Sequence, residues 1–218
     1  MYLEYCCYNN KLIEDVEKEI RNCFDAISLG FLGLSIPLHI LRQISSEVLL
    51  IPDICVSCPV AYPLGCGDRK VREHEALVAC KSGATAIDLV MNPYLFNKGK
   101  ESCIKKDISP IVELCAEYYS ELRIIINYHL YEQKESLDIC ELLRELGVTT
   151  IIPSTGFHND DIFDNLLFCN LVEKKIGLSA ISSGRMWLDK HLKAALNSGI
   201  SGVRVYSLKN LFDLGVDS

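Results

Sequence analysis

The strongest constraint on this chain is an alternation along its length: short apolar, β-branched runs separated by longer stretches whose apolar side chains recur at helical spacing. Eight runs read as strands, at 2–8, 30–36, 54–62, 86–91, 123–128, 149–154, 176–181 and 202–206. Between them, 10–27, 37–45, 68–81, 101–119, 132–146, 160–173 and 185–197 read as amphipathic helices, as Ile13, Val16, Ile20 and Phe24 illustrate for the first. Gly83, Gly147 and Gly199 each stand where a helix must stop before the next strand, the place of a left-handed C-cap. Strand and helix in regular succession imply βα units on a parallel sheet. Eight units in 218 residues suit a closed (β/α)8 barrel, although a doubly wound open sheet gives the same local pattern. No Pro/Gly/Ser-rich linker or low-complexity tract interrupts the succession, so one domain spanning 1–218 is expected.

Composition narrows the function classes. The longest apolar runs, such as 48–51, fall far short of the ~20 residues a membrane span needs, and the opening MYLEYCC lacks the basic start of a signal peptide. Eleven cysteines in such a chain read as reduced thiols, and a cytoplasmic location is the expectation. A net charge of -7 and the lack of a basic stripe argue against nucleic acid, whose phosphates need a positive face; Lys105 and Lys106 read as a solvated helix face. Cys55 and Cys58, with Cys66 and His74 downstream, have a spacing that invites a zinc site. Residues three apart on a strand point to opposite faces, however, so these cysteines are expected in the core and no metal is assigned.

Two stretches carry a resemblance. Tyr62-Pro63-Leu64-Gly65, then Lys70 and Glu73, then 83–92 (GATAIDLVMN) are similar in order and spacing to the third and fourth strand region of the deoxyribose-phosphate aldolases. Ser154-Thr155-Gly156-Phe157 resembles the end of that family's sixth-strand motif, and the likeness extends from about residue 30 to 206. It implies a single (β/α)8 TIM barrel of the aldolase type, with a carbon-carbon lyase ancestry. In the family a lysine and a threonine precede Ser-Thr-Gly-Phe, where this chain has Ile152 and Pro153. A second family lysine, followed by Ala-Ser-Gly-Gly-Ile-Arg, corresponds to Ser179 ahead of Ser182, Ser183, Gly184 and Arg185. An Asp-His-Thr-like segment belongs at the end of the first strand, and 5–9 supplies neither the acid nor the histidine.

These departures bear on chemistry. The aldolase reaction needs an uncharged lysine amine that attacks an aldehyde and becomes an imine, the electron sink for making or breaking the carbon-carbon bond. Ile152 has no nucleophile, and Ser179 cannot supply the neighbouring charge that lowers a lysine pKa. Lys174 and Lys175 precede the seventh strand, at the stability-bearing end, while Lys98, Lys100 and Lys209 lie in or beyond loops. Schiff-base activity is therefore not expected, and no cofactor is called for.

The resemblance places Asp88 where the family keeps its proton-handling aspartate, so Asp88 is the candidate general base; the competing reading is an anchor bonded to loop amides. His129 and His158, near the ends of strands, offer an acid/base pair or are solvated loop residues. Asn127, Ser154, Thr155, Ser182, Ser183, Gly184 and the forked donors of Arg185 are candidate binding groups for a small phosphorylated or polar metabolite. Tyr206 stands where the family has a small turn that leaves room for phosphate. Three readings stay open: a metabolite binder or pseudoenzyme, a lyase or isomerase using Asp88 and a histidine without an imine, and a non-catalytic structural or interaction barrel. Convergence of Asp88, Asn127 and Arg185 on a pocket favours an enzyme; a mouth plugged by Ile152, Pro153, Tyr128 and Tyr206 favours the barrel without catalysis. A homo-oligomer is compatible with all three.

Overall fold

The computed structural model describes residues 1–8, 15–96, 101–157, 161–184 and 187–208. Its strands are β1 (Tyr2–Cys6), β2 (Gly33–Ser35), β3 (Cys55–Val60), β4 (Ala86–Val90), β5 (Glu121–Ile125), β6 (Thr150–Ile152), β7 (Ser179–Ser183) and β8 (Gly202–Val205). Each pairs in parallel with the next, and β8 closes on β1 through Glu4 opposite Arg204 and Tyr5 opposite Val205. The result is a (β/α)8 barrel, and the open-sheet alternative is excluded by that last pairing.

Outside the barrel lie α1 (Val16–Ser28), α2 (Leu38–Val48), α3 (Arg69–Lys81), the short α4 (Pro93–Phe96), α5 (Glu101–Glu117), α6 (Gln133–Glu145), α7 (Ile162–Ile176) and α8 (Asp189–Ser198). Their starts follow from side-chain chemistry: Asp15, Asp68 and Asp161 accept from Lys18 N, Lys70 N and Phe163 N and so satisfy amides that the first turn leaves open. Their stops fall where the glycines were read, with Gly83, Gly147 and Gly199 at φ 98, 92 and 73°. Leu34, Val56, Ile87, Leu89, Ile124, Ile151, Ala180 and Val203 form a buried apolar core with side chains from the surrounding helices. Strands covered on both sides read as nearly continuous apolar runs, which is why the sequence pattern was legible.

Two boundaries move in ways that matter. The fifth strand ends at Ile125, before the left-handed Asn127 (φ 51°) and a 3₁₀ turn at Tyr128–Leu130. The seventh was read at 176–181, but Ile176 closes α7, Gly177 caps it, and the strand runs from Ser179 to Ser183. Helix α7 thus reaches further than its apolar spacing suggested, and Ser179 becomes the first residue of a strand instead of the fourth. On the flank of the barrel, α3 and α5 are tied by a buried ion pair: Arg72 Nη1 donates to Asp107 Oδ2 at 2.5 Å while Nη2 donates to Val90 O at 2.8 Å. Among the described residues no helix is long and apolar enough to cross a membrane.

Candidate functional site

Side chains alternate across each strand, so every second residue enters the barrel. On four strands that parity delivers a charge: Glu4 from β1, Asp88 from β4, Arg123 from β5 and Arg204 from β8, each at most 1% exposed. They close a ring of alternating sign. Arg123 Nε donates to Asp88 Oδ1 and its Nη1 to Glu4 Oε2, both at 2.8 Å. Arg204 Nε donates to Glu4 Oε1, and its Nη2 donates to Asp88 Oδ2 at 2.6 Å. Two carboxylates and two guanidinium groups leave the quartet neutral, which is the condition for burying four charges.

Hydroxyls complete it. Ser35 and Ser57 donate to Asp88 Oδ2 at 2.7 and 2.8 Å, and Tyr2 donates to Glu4 Oε2 at 2.9 Å. Tyr8 Oη lies 2.7 Å from Ser35 Oγ, extending the network. Burial alone raises the pKa of Asp88; the Arg123 and Arg204 charges, with the two serine hydrogen bonds, outweigh it and hold the carboxyl well below the usual carboxylate range. Asp88 therefore stands deep in the barrel, bonded to arginines and serines, neither open at the mouth nor anchored on loop amides.

The other sector of the interior is apolar. Val90, Ile125, Ile152 and Ile181 pack together, with Tyr2 and Tyr62 against them. Ile152, fully buried, pairs in register with Ile125. Thr150 opposite Ser179 sets the offset between β6 and β7, and this makes Ile181 the inward neighbour of Ile152. Ser179 is exposed at the opposite end. With Tyr2, Cys55, Glu121, Arg123 and Thr150 it lines a cavity of about 220 Å³ at the start of the strands. The placement of Ser179 beside Ile152 is thus corrected, because the helix end that moves the start of β7 from 176 to 179 was not visible in its apolar pattern. An acid does enter from β1, through Glu4, one residue ahead of the 5–9 segment, which itself has none.

Over the apolar sector, Tyr62 spans the mouth. Its hydroxyl donates to Thr155 O at 3.0 Å and its ring meets Tyr8 edge-on at 4.8 Å. The mouth residues expected to bind substrate bond to one another. Asn127 Oδ1 accepts from Thr155 N and Thr155 Oγ1 at 2.9 and 3.2 Å. Ser154 Oγ accepts from Gly156 N, Ser183 Oγ donates to Ser154 O, and Ser183 O accepts from Asn165 Nδ2. Ser182, of opposite parity to Ser183, faces outward toward Cys169 of α7. At Gly184 a Cβ would come within 2.4 Å of Ile162 Cγ1, so glycine is required there by packing.

His129 is not part of this hydrogen-bonded group. It lines a groove of about 570 Å³ between α6 and α7 with Tyr128, Gln133, Asp164 and Leu167, and Tyr128 stacks on Phe168 at 4.4 Å. Asn127 borders a separate surface cavity of about 320 Å³ with Pro63, Leu64, Cys66, Pro93 and Tyr94. The structure therefore brings Asn127, Ser154, Thr155 and Ser183 together, and sets Asp88, His129 and Ser182 apart from them and from one another. Of the residues expected to plug the mouth, Ile152 packs in the apolar group and Tyr128 stacks on Phe168 of α7. Arg185 and His158 lie outside the described residues. Cys58 joins the outer core while Cys55 lines the lower cavity, and among the described residues no group of three His, Cys, Asp or Glu is placed to hold a metal.

Glu4, Arg123, Arg204, Ser35, Ser57, Tyr8 and Tyr62 were not singled out from sequence as site residues. A signal existed: a charge inside a short apolar strand, as in YLEYC, ELRII and GVRV, has only the barrel interior or the helix layer to enter.

A closed parallel barrel with an ionised cluster inside defines the class, a (β/α)8 barrel. Comparison with known proteins sharpens it. No protein-family model matches the chain. A deoxyribose-phosphate aldolase of Thermococcus gammatolerans is 26% identical over 200 residues, covering 87% of each chain. That of Caldanaerobacter subterraneus subsp. tengcongensis is 27% identical over 192 residues, covering 86% of this chain and 81% of its own. In fold, the tetrameric deoxyribose phosphate aldolase from Aeropyrum pernix superposes with a TM-score of 0.80 at 20% identity, over 97% of this chain and 88% of that one. Over most of its length the chain is similar in sequence to deoxyribose-phosphate aldolases, and it shares the fold of one that has been solved.

Proposed function

We propose that this protein is a diverged member of the deoxyribose-phosphate aldolase family that does not perform Schiff-base aldol chemistry and acts as a non-catalytic barrel, its former reaction chamber filled. The observation that carries the reading is Ile152: it occupies the interior position that the family's motif assigns to lysine, packed against Val90, Ile125 and Ile181 beneath Tyr62. No imine can form at an isoleucine. The Asp88 carboxyl, held ionised by two guanidinium groups and accepting from two hydroxyls, has a pKa far too low for a general base. Asp88 is fully buried in the barrel interior while His129 lines a groove to which Asp88 does not contribute, and this argues against the lyase or isomerase reading. Retained phosphosugar binding is likewise disfavoured, because Ser154, Thr155 and Ser183 direct their hydroxyls at neighbouring mouth residues.

The Aeropyrum pernix relative is tetrameric, and exposed Phe163 and Leu167 on α7 support self-association here as well, which sedimentation equilibrium measures. Reduced thiols and a cytoplasmic location remain part of the proposal. The deciding experiment is borohydride reduction with deoxyribose 5-phosphate, followed by intact mass spectrometry, beside a thermal-shift series with the same sugar. Neither adduct nor shift is expected. An adduct on any lysine overturns the reading, and stabilisation without an adduct replaces it with a metabolite-binding one.

A further inference from the structure

Opposite the mouth, where the strands begin, the barrel holds the cavity of about 220 Å³, which shares no lining residue with the mouth. Strand parity and two glycines build it. Glu121 and Arg123 stand on one face of β5, about 6–7 Å apart along the strand, and Ser179 and Ile181 stand likewise on β7. Arg123 and Ile181, both buried, make the deep end, while Glu121 and the exposed Ser179 make the rim. On another side lies the Tyr2 ring, fitted against Gly33 and Gly202: a Cβ at Gly33 would run into its hydroxyl, and one at Gly202 would come 2.9 Å from its Cδ1.

The deep end carries a donor without an acceptor. Arg123 Nε and Nη1 are held by Asp88 and Glu4, whereas Nη2 is buried and has no hydrogen-bond partner among the described residues. A buried donor left so is costly, and an acceptor brought to it recovers that cost. The rim carries the complementary group. Glu121 Oε1 accepts from Thr149 Oγ1 at 2.9 Å and from Thr150 Oγ1 at 2.5 Å, which fixes the carboxylate in place. A carboxylate offers about four acceptor sites, so it can still take a hydrogen from a ligand. Tyr2 and Ile181 supply apolar wall between these polar groups, the usual make-up of a small-molecule site.

We propose that this cavity binds a small neutral carboxamide, whose carbonyl oxygen accepts from Arg123 Nη2 and whose N–H donates to the Glu121 carboxylate. Charge selects against the alternatives. The Arg123 guanidinium is neutralised within the ring, so Glu121 gives the lining a net negative charge and an anion such as phosphate is repelled. A cation finds the donor face of Arg123 at the deep end. A polyol would leave hydroxyls unpaired against Tyr2 and Ile181. A carboxamide sets one acceptor and one donor on a single planar group, and its apolar remainder packs on those two walls. The site is independent of the mouth, and it stands whether or not the barrel has lost its aldol chemistry.

The test titrates the full chain with benzamide, benzoate and inorganic phosphate by calorimetry. Saturable binding of benzamide with a dissociation constant of about 1 mM is expected for so small a molecule, with the two anions weaker by at least about tenfold. Cys55 lines the cavity and Cys66 is exposed elsewhere, so thiol labelling by methyl methanethiosulfonate, mapped by peptide mass spectrometry, locates the ligand. Benzamide should slow labelling of Cys55 and leave that of Cys66 unchanged. Ser179→Phe, which fills the rim from an exposed position, should abolish binding, and Glu121→Gln should remove the preference for benzamide over benzoate. Because protection of Cys55 is read on the wild-type chain, misfolding of either variant leaves the test intact. Absence of saturable benzamide binding overturns the proposal, as does binding that leaves Cys55 unprotected or an anion that binds as tightly as the amide.

Discussion

Two sectors of the same barrel interior solve the same packing problem in opposite ways. Strands β1, β4, β5 and β8 send in Glu4, Asp88, Arg123 and Arg204, which meet in a neutral ring. Strands β6 and β7 send in Ile152 and Ile181, which join Val90 and Ile125 in an apolar group. In the first sector each side chain is held by partners it cannot lose; in the second each is held by shape and by exclusion of water. The difference predicts different failures when a residue is removed or exchanged.

The largest effect is expected from Asp88→Ala, which leaves two buried guanidinium groups facing one carboxylate. A loss of about 3–5 kcal/mol in urea unfolding is expected; a loss near that of an ordinary surface substitution would mean the ring contributes little. Next is Ile152→Lys, which puts an amine into the apolar sector at a cost of about 3 kcal/mol near neutral pH. Burial depresses the folded pKa of such a lysine below its unfolded value, so the unfolded state binds the extra proton and stability relative to wild type recovers as pH rises toward 10 or so. A urea midpoint that does not rise with pH would show that the new amine has escaped the apolar group.

The wild-type protein has the opposite pH signature. Because the Asp88 pKa is lowered on folding, its contribution is complete above the unfolded carboxyl pKa of about 3.9 and is lost as pH falls below that value. The urea midpoint should fall steadily on acidification from about pH 5, and Asp88→Asn should flatten that slope. The smallest effect is expected at the boundary: Tyr62→Phe removes the bond to Thr155 O and keeps the ring against the isoleucines, costing about 1 kcal/mol. A much larger loss would place the strength of the mouth in that one hydrogen bond.

The candidate site was partly legible. Asp88 was found through a motif, and its inward parity followed from its place in the fourth strand. Asn127, Ser154 and Thr155 were found as rim residues, and they do meet. What could not be read was their employment: the Asn127 carbonyl accepts from Thr155 because a left-handed turn after β5 aims it across the rim, a geometry with no local sequence code. Ser179 was misplaced because α7, apolar on more than one side, conceals where helix ends and strand begins.

From its sequence alone this protein fixes its elements, since apolar period, aspartate caps and glycine stops act within a few residues of one another. The same local reading makes Ile152 incapable of imine chemistry, because that is a property of one side chain. Only the tertiary structure decided that the sheet closes, that the charges of four strands as far apart in sequence as Glu4 and Arg204 neutralise one another, and that Tyr62 roofs the apolar sector. Those outcomes depend on strand register around a complete circle, and no stretch of chain carries that information until all eight strands are in place.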